Sequence, residues 1–326
     1  MKYNIKMKLL FLVSILYLEL FAYSLMDYYR KYGTEDIGKE AERLLKSKQF
    51  WLERLKNIDT DFGYYEDIEY LLIVNKIFQS LDVYRKRGNI FQMVTTFDIL
   101  VGEKRGDKFT EGDKRTPTGV YELVEKLKKL DQFYGPLAFV TSYPNLFDKL
   151  HGKSGSGIWI HGYPLSGDRN PYTKGCIALK NDRLLELSRI VRNLDKTLLI
   201  LEDGQLEKVS KEDLAIVLAS LYRWLDSWRS QNLRYYLSFY SKEFRRFDGN
   251  DLKWFREYKK RVFSKKKRIK IFFTNINITP YPNREKKRLF RITFQERYIS
   301  GKYRFQGKKE LYIELIGDRM KILVER

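Results

Sequence analysis

Residues 157–182 read GIWIHGYPLSGDRNPYTKGCIALKND, and the remainder of the chain is best read outward from them. They hold Cys176, the sole cysteine among 326 residues, and His161, one of two histidines. Each has a glycine neighbour: Gly162 follows His161, and Gly175 precedes Cys176. A thiol and an imidazole are the minimum for nucleophilic catalysis at sulfur. The thiolate attacks, and the imidazole takes the proton and later returns it. The competing reading is a buried structural cysteine. Gly175 and the polar run Asp168 to Lys174 set this one at the mouth of a loop, which favours the nucleophile.

Period-two alternation sorts the same stretch into faces. Ile158 and Ile160 share one side of a strand, Trp159 and His161 the other; Cys176 and Ala178 oppose Ile177 and Leu179 in the next. If the two strands are neighbours, Cys176 and His161 meet across the sheet.

Upstream, the pattern is strands from Glu69: Tyr70 to Asn75, Ser80 to Tyr84 and Ile90 to Val101, with Arg87-Gly88-Asn89 as a hairpin turn. A polar loop from Gly102 to Arg115 ends in Thr116-Pro117-Thr118-Gly119. Further strands are expected at Leu137 to Thr141, Ile158 to Gly162, Cys176 to Leu179 and Thr197 to Leu201. A helix from Asp182 to about Asn193 is expected with Asn181 or Asp182 as its cap. This is a mainly antiparallel β domain over 69–203.

The ends differ in character. Lys2, Lys6 and Lys8, the apolar run Leu9 to Phe21 and Ala22-Tyr23-Ser24 form a secretory signal pattern over 1–24. An uncleaved anchor is the alternative. Residues 25–68 read as a helical arm, with one amphipathic helix from about Asp36 to Lys56 capped by Thr34. Too small for its own core, the arm is expected to pack on the next domain or to pair two copies of the chain. Residues 204–326 run from helices at Leu214 to Trp228 and Asn232 to Tyr240 into long strands at Ile269 to Thr279, Arg288 to Ser300 and Lys309 to Val324. The whole is an α+β protein. Its last part resembles the nuclear-transport-factor-2-like cone, in DSWRSQNLRYYLSFYS, NINITPYPN and KILVER. That fold hosts many functions and implies none.

The formal charge is +21, and Lys242 to Lys270 carries 13 basic against 4 acidic residues. Such an excess suits an anionic partner, or a solvated basic surface. Export argues against nucleic acid. Two histidines and one cysteine lack metal-ligand spacing, so no metal or cofactor is expected. His151 lies in a glycine–serine loop and reads as an exposed loop residue or part of a lid.

Residues 69–203 resemble the L,D-transpeptidase catalytic domain. The resemblance rests on His161-Gly162, Thr173-Lys174-Gly175-Cys176-Ile177, Thr116-Pro117-Thr118-Gly119 and the strand ending Leu81-Asp82-Val83-Tyr84. It implies a Cys176 nucleophile, a His161 base and acid, and the Gly162 carbonyl as third member. It also implies oxyanion donors on the Gly175 and Cys176 amides, and a groove lined by Trp159, Tyr163, Thr173, Lys174 and Arg115. The implied substrate is a peptidoglycan stem tetrapeptide in the periplasm, cleaved at the carbonyl of its third residue. Lys174 stands where many members have His, and Ala178 where many have Arg or Asn, so the acceptor stays open between water and an amine. The domain order resembles that of helical-cell-shape L,D-carboxypeptidases, which implies water. A catalytically idle envelope-binding scaffold is the reading from another class, and the ligand of the last domain is unknown.

Overall fold

The computed structural model describes residues 29–326 except 32, 34 and 205. The expected leader over 1–24 and the Thr34 cap lie outside the described residues. No described helix is long and apolar enough to cross a membrane.

The helix expected from about Asp36 to Lys56 is two: α1 (residues 35–45) and α2 (Lys48–Leu55). The break is local chemistry. The Ser47 side chain accepts from the Phe50 N–H, which starts a new helix where the old one would continue. Trp51 and Leu55 of α2 are buried. The arm then ends in a two-residue strand, β1 (Tyr64–Tyr65).

The chain next builds an eight-stranded sheet from β2 (Tyr70–Asn75), β3 (Ser80–Arg87), β4 (Ile90–Asp98), β5 (Gly119–Leu127), β6 (Ala138–Thr141), β7 (Trp159–His161), β8 (Ile177–Ala178) and β9 (Thr197–Glu202). Two helices interrupt it: α3 (Leu146–Leu150) and α4 (Asn181–Ile190). The order is β4-β3-β2-β9-β5-β6-β7-β8. Only β2–β9 and β7–β8 are parallel, so the sheet is mainly antiparallel. β2 and β9 are continuous apolar runs because they are central and covered on both faces. β3 alternates instead, with Leu81 and Val83 buried and Asp82 and Tyr84 partly exposed. The N-cap of α4 is Lys180, without a side-chain cap bond, and not Asn181 or Asp182.

The last unit holds α5 (Lys211–Arg229), α6 (Leu233–Ser238), β10 (Tyr240–Arg246), α7 (Leu252–Phe263) and strands β11 (Ile269–Pro280), β12 (Leu289–Ser300), β13 (Tyr303–Ile316) and β14 (Arg319–Glu325). Its six-stranded sheet runs β1-β11-β12-β13-β14-β10. The arm therefore contributes a strand here, with Tyr64 opposite Ile278, while its Phe62 and Tyr65 also pack on Tyr84 and Phe91 of the domain that follows it in sequence. α5 is buried without a break from Leu214 to Leu221. A helix apolar all round must be covered on both sides; here α2 and the curved sheet share one core with it. α6 is shorter than expected, because Tyr240 already starts β10.

A third apolar cluster joins the two units. Leu71, Ile73, Val120, Leu198 and Ile200 of the first sheet meet Tyr312 and Val324 of the second and Tyr281 just beyond β11. Glu122 of β5 pairs with Arg291 of β12, which also binds Glu310, both at 2.7 Å. Arg291 and Lys308 hold the Glu122 carboxyl down at about 2, against the opposing effect of its burial.

Candidate active site

β7 and β8 are neighbours, a pairing the sequence allows without showing, and they run parallel. His161 lies opposite Ala178, and Ile160 opposite Ile177. Alternation then puts Trp159, His161, Cys176 and Ala178 on one face, while Ile158, Ile160, Ile177 and Leu179 enter the core.

His161 is 1% exposed, and its Nδ1 lies 2.7 Å from the Gly162 carbonyl. A carbonyl only accepts, so Nδ1 carries the hydrogen and Nε2 keeps its lone pair. Tyr134 stands edge-on to the imidazole at 5.1 Å and packs on Trp159 at 5.1 Å. Burial behind these rings lowers the His161 pKa to about 4; the Gly162 carbonyl opposes this and the Arg169 charge adds to it. Burial raises the Cys176 thiol, partly offset by the Trp159 backbone and by Arg169. The resting pair is accordingly neutral thiol and neutral imidazole.

The turn into Cys176 is built by threonines. Thr173 is buried; its hydroxyl accepts from the Gly175 N–H at 3.0 Å and donates to the Cys176 carbonyl at 2.7 Å. Two expectations change here. Thr173 shapes the turn and does not line a groove, and the Gly175 N–H is engaged by that hydroxyl instead of facing an oxyanion. Gly175 has φ +133° and a Cβ there would lie 2.8 Å from the Arg115 carbonyl, so glycine is required. Thr116 closes the assembly from behind. Its hydroxyl donates to the Gly175 carbonyl at 2.9 Å and accepts from the Gly102 N–H at 2.8 Å.

The other expected residues divide. Trp159 and Tyr163 are half-buried beside His161, and Lys174 is exposed next to the turn. Arg115 directs its Nε to the Arg105 carbonyl within the loop. His151 is exposed and ends α3, its Nδ1 on the Phe147 carbonyl. Sequence reasoning does not single out Phe133, Tyr134 or Arg169. The aromatics arrive from a 3-10 turn (Gln132–Tyr134) distant in sequence. Arg169 was within the quoted stretch, and its place between His161 and Cys176 was the available signal.

A cavity of about 960 Å³ opens beside this assembly, lined by Lys76, Thr116, Asp203 and the segment 280–288, but by neither Cys176 nor His161. In the last domain, burial lowers the Lys259 ammonium to about 8, against the opposing charge of Glu325.

A histidine on β7 and a cysteine immediately before β8, adjoining strands at one edge of such a sheet, point to an enzyme class. Residues 69–196 match the model of the L,D-transpeptidase catalytic domain. Residues 216–326 match the Cds6 C-terminal NTF2-like domain. The helical cell shape determining protein Pgp2 from Campylobacter jejuni is 40% identical, with a TM-score of 0.82 over 86% of this chain and 99% of that one. Bd1075 from Bdellovibrio bacteriovorus is 29% identical, with a TM-score of 0.65 over 82% of this chain and 97% of that one. YafK of Escherichia coli K12, a candidate L,D-transpeptidase, is 30% identical over 114 residues, 35% of this chain. The match spans 43% of the length of that curated relative. The chain belongs to the Pgp2 family, in which an L,D-transpeptidase domain is joined to a C-terminal NTF2-like domain.

Proposed function

We propose that this chain is a periplasmic L,D-carboxypeptidase that removes the terminal D-Ala from peptidoglycan stem tetrapeptides and thereby acts on cell shape. One observation carries the reading: the Gly162 carbonyl fixes the His161 tautomer with Nε2 unprotonated, on the strand beside Cys176. Family membership supports the substrate class, and the likeness to a cell shape protein supports the role.

The chemistry is acyl transfer. Nε2 of His161 takes the thiol proton as Cys176 Sγ attacks the carbonyl of the third stem residue. The Gly162 carbonyl steadies the imidazolium. The Cys176 N–H is the oxyanion donor at this turn. The C–N bond breaks as His161 returns the proton to the leaving amine, so D-Ala departs and a thioester remains. Water then loses a proton to His161, attacks the thioester and expels the thiolate, which recovers that proton. The products are a tripeptide and D-Ala. An amine acceptor in place of water would give a crosslink.

The test is mass analysis of muropeptides after incubation with disaccharide-tetrapeptide. Tripeptide formed by the wild type and not by Cys176→Ala supports the reading. A new dimer would make the enzyme a transpeptidase. Equal D-Ala release by both proteins would remove Cys176 from the mechanism, and no release by either would favour an idle scaffold.

A further inference from the structure

We propose that Arg169 is the residue that recognises the terminal carboxylate of the stem peptide, and so makes the enzyme a carboxypeptidase. The proposal rests on the acyl-transfer reading above. Arg169 stands in the loop between His161 and Cys176. Its guanidinium lies between the rings of Phe133 and Tyr163, at 5.5 and 5.2 Å. Nη1 reaches the Gly162 carbonyl at 3.4 Å, the same oxygen that accepts from His161 Nδ1. Nε is buried and has no hydrogen-bond partner.

What this arginine lacks is an anion. None of the ion pairs among the described residues includes Arg169, and the ionisable groups that raise its pKa are Tyr163 and Cys176 alone. Burial lowers that pKa, which is the opposite of what a carboxylate partner would do. An arginine taken half out of water beside a reactive thiol, with no acid paired to it, is a site waiting for a carboxylate. The fork of the guanidinium suits a carboxylate better than a lysine ammonium would.

Geometry chooses among the carboxylates of the stem. His161 must protonate the nitrogen of the departing residue, so that residue lies against the imidazole. The oxyanion lies across the scissile carbon, at the Cys176 amide. Arg169 is on the His161 side, at the Gly162 carbonyl. The carboxylate nearest the protonated nitrogen, separated from it by one carbon, is the terminal carboxylate of D-Ala. Once the thioester has formed this carboxylate is gone, so Arg169 acts in acylation and not in deacylation.

The test compares disaccharide-tetrapeptide with its C-terminal D-alaninamide counterpart, on the wild type, Arg169→Gln and Arg169→Lys. The wild type should prefer the acid by about 10–100-fold in kcat/KM, the range of one charge-assisted bidentate contact. Arg169→Gln should lose that preference by slowing only the acid, and Arg169→Lys should retain part of it. A purely structural role would slow both substrates alike and keep the ratio, which would overturn the proposal. A third substrate, amidated on the side-chain carboxyl of the third residue, should keep its dependence on Arg169; loss of that dependence would reassign the contact and also overturn it. Binding of the acid and the amide to Cys176→Ser and to Cys176→Ser/Arg169→Gln, followed by NMR, decides the same point without turnover. If no protein releases D-Ala, the acyl-transfer reading fails, while a preference for the acid that vanishes with Arg169 still upholds the contact.

Discussion

The hydroxyl of Thr116 donates to the carbonyl of Gly175 at 2.9 Å, so the peptide that precedes the cysteine is held from the loop behind it. Thr116→Val keeps the shape and removes both bonds of that hydroxyl. It leaves the Gly102 N–H and the Gly175 carbonyl without it, and should cost about 1–3 kcal/mol of stability. A looser turn displaces the sulfur, and turnover should fall by about 10–100-fold. Thr116→Ser should restore most of both. Thermal unfolding and D-Ala release measured on the same preparations check this.

Lys76 is the anchor of that loop. Its ammonium donates to the carbonyls of Gly106 and Thr116 at 3.0 Å and pairs with Asp203 at 2.9 Å, and burial lowers its pKa. Lys76→Met leaves two carbonyls unpaired and Asp203 with only Arg284 at 3.5 Å and the Thr118 hydroxyl at 3.3 Å, and should destabilise by about 1–3 kcal/mol. Lys76→Met combined with Asp203→Leu should recover part of that loss in denaturant titrations, because the only charge left without its partner is the solvent-exposed Arg284.

The pH profile should be broad. With His161 near 4, the base stays neutral far below the ordinary histidine range, so the acid limb of kcat/KM should lie near 4 and not near 6.5. The raised thiol moves the alkaline limb above its ordinary value, and alkylation of Cys176 by iodoacetamide should be slow at neutral pH. Stability follows the same group. The unfolded chain binds this proton below about 6.5 and the folded chain only below 4. Stability therefore falls as pH drops through that window, by about 3 kcal/mol from this residue. His161→Gln should flatten that part of the curve.

The ionic seam between domains should couple their unfolding. Arg291 is buried, with Glu310 and Glu122 on either side. Arg291→Met leaves Glu310 buried beside Glu122 and should cost about 3–5 kcal/mol. Glu122→Gln, at a partly exposed position, should cost about 1 kcal/mol. Calorimetry should show one transition in the wild type and a split one in Arg291→Met.

The strands were legible where their own residues alternate or run continuously apolar, as in β2, β3 and β9. Such patterns are local. β5 was not read as a strand, because GVYELVEKL mixes buried and exposed positions irregularly where the sheet bends from β9 to β6. β10 and α7 lay hidden in the basic segment, since their lysines and arginines snorkel around a few buried aromatics such as Phe244 and Phe255. At the site, Cys176 and His161 stood out because those residue types are scarce here. Tyr134 and Phe133 come from a turn some 27 residues before His161, and only the folded sheet brings them to it. The engaged Gly175 amide depends on one hydroxyl rotamer, which no spacing rule reports.

The short strand Tyr64–Tyr65 makes this chain a loop that closes on itself. Synthesis delivers the arm first and the sheet that receives it last, with the whole L,D-transpeptidase domain made in between, so Trp51 and Leu55 must wait for α5 before they are covered.

 The arm and the last domain thus flank the catalytic domain in sequence yet share one sheet and one core in space. Removing the last domain would not yield a shorter enzyme. It would uncover an apolar arm and one face of the catalytic sheet together, a surface prone to aggregate. Natural variation should therefore lengthen or trim the surface loops of this protein far more readily than it exchanges one of its domains for another.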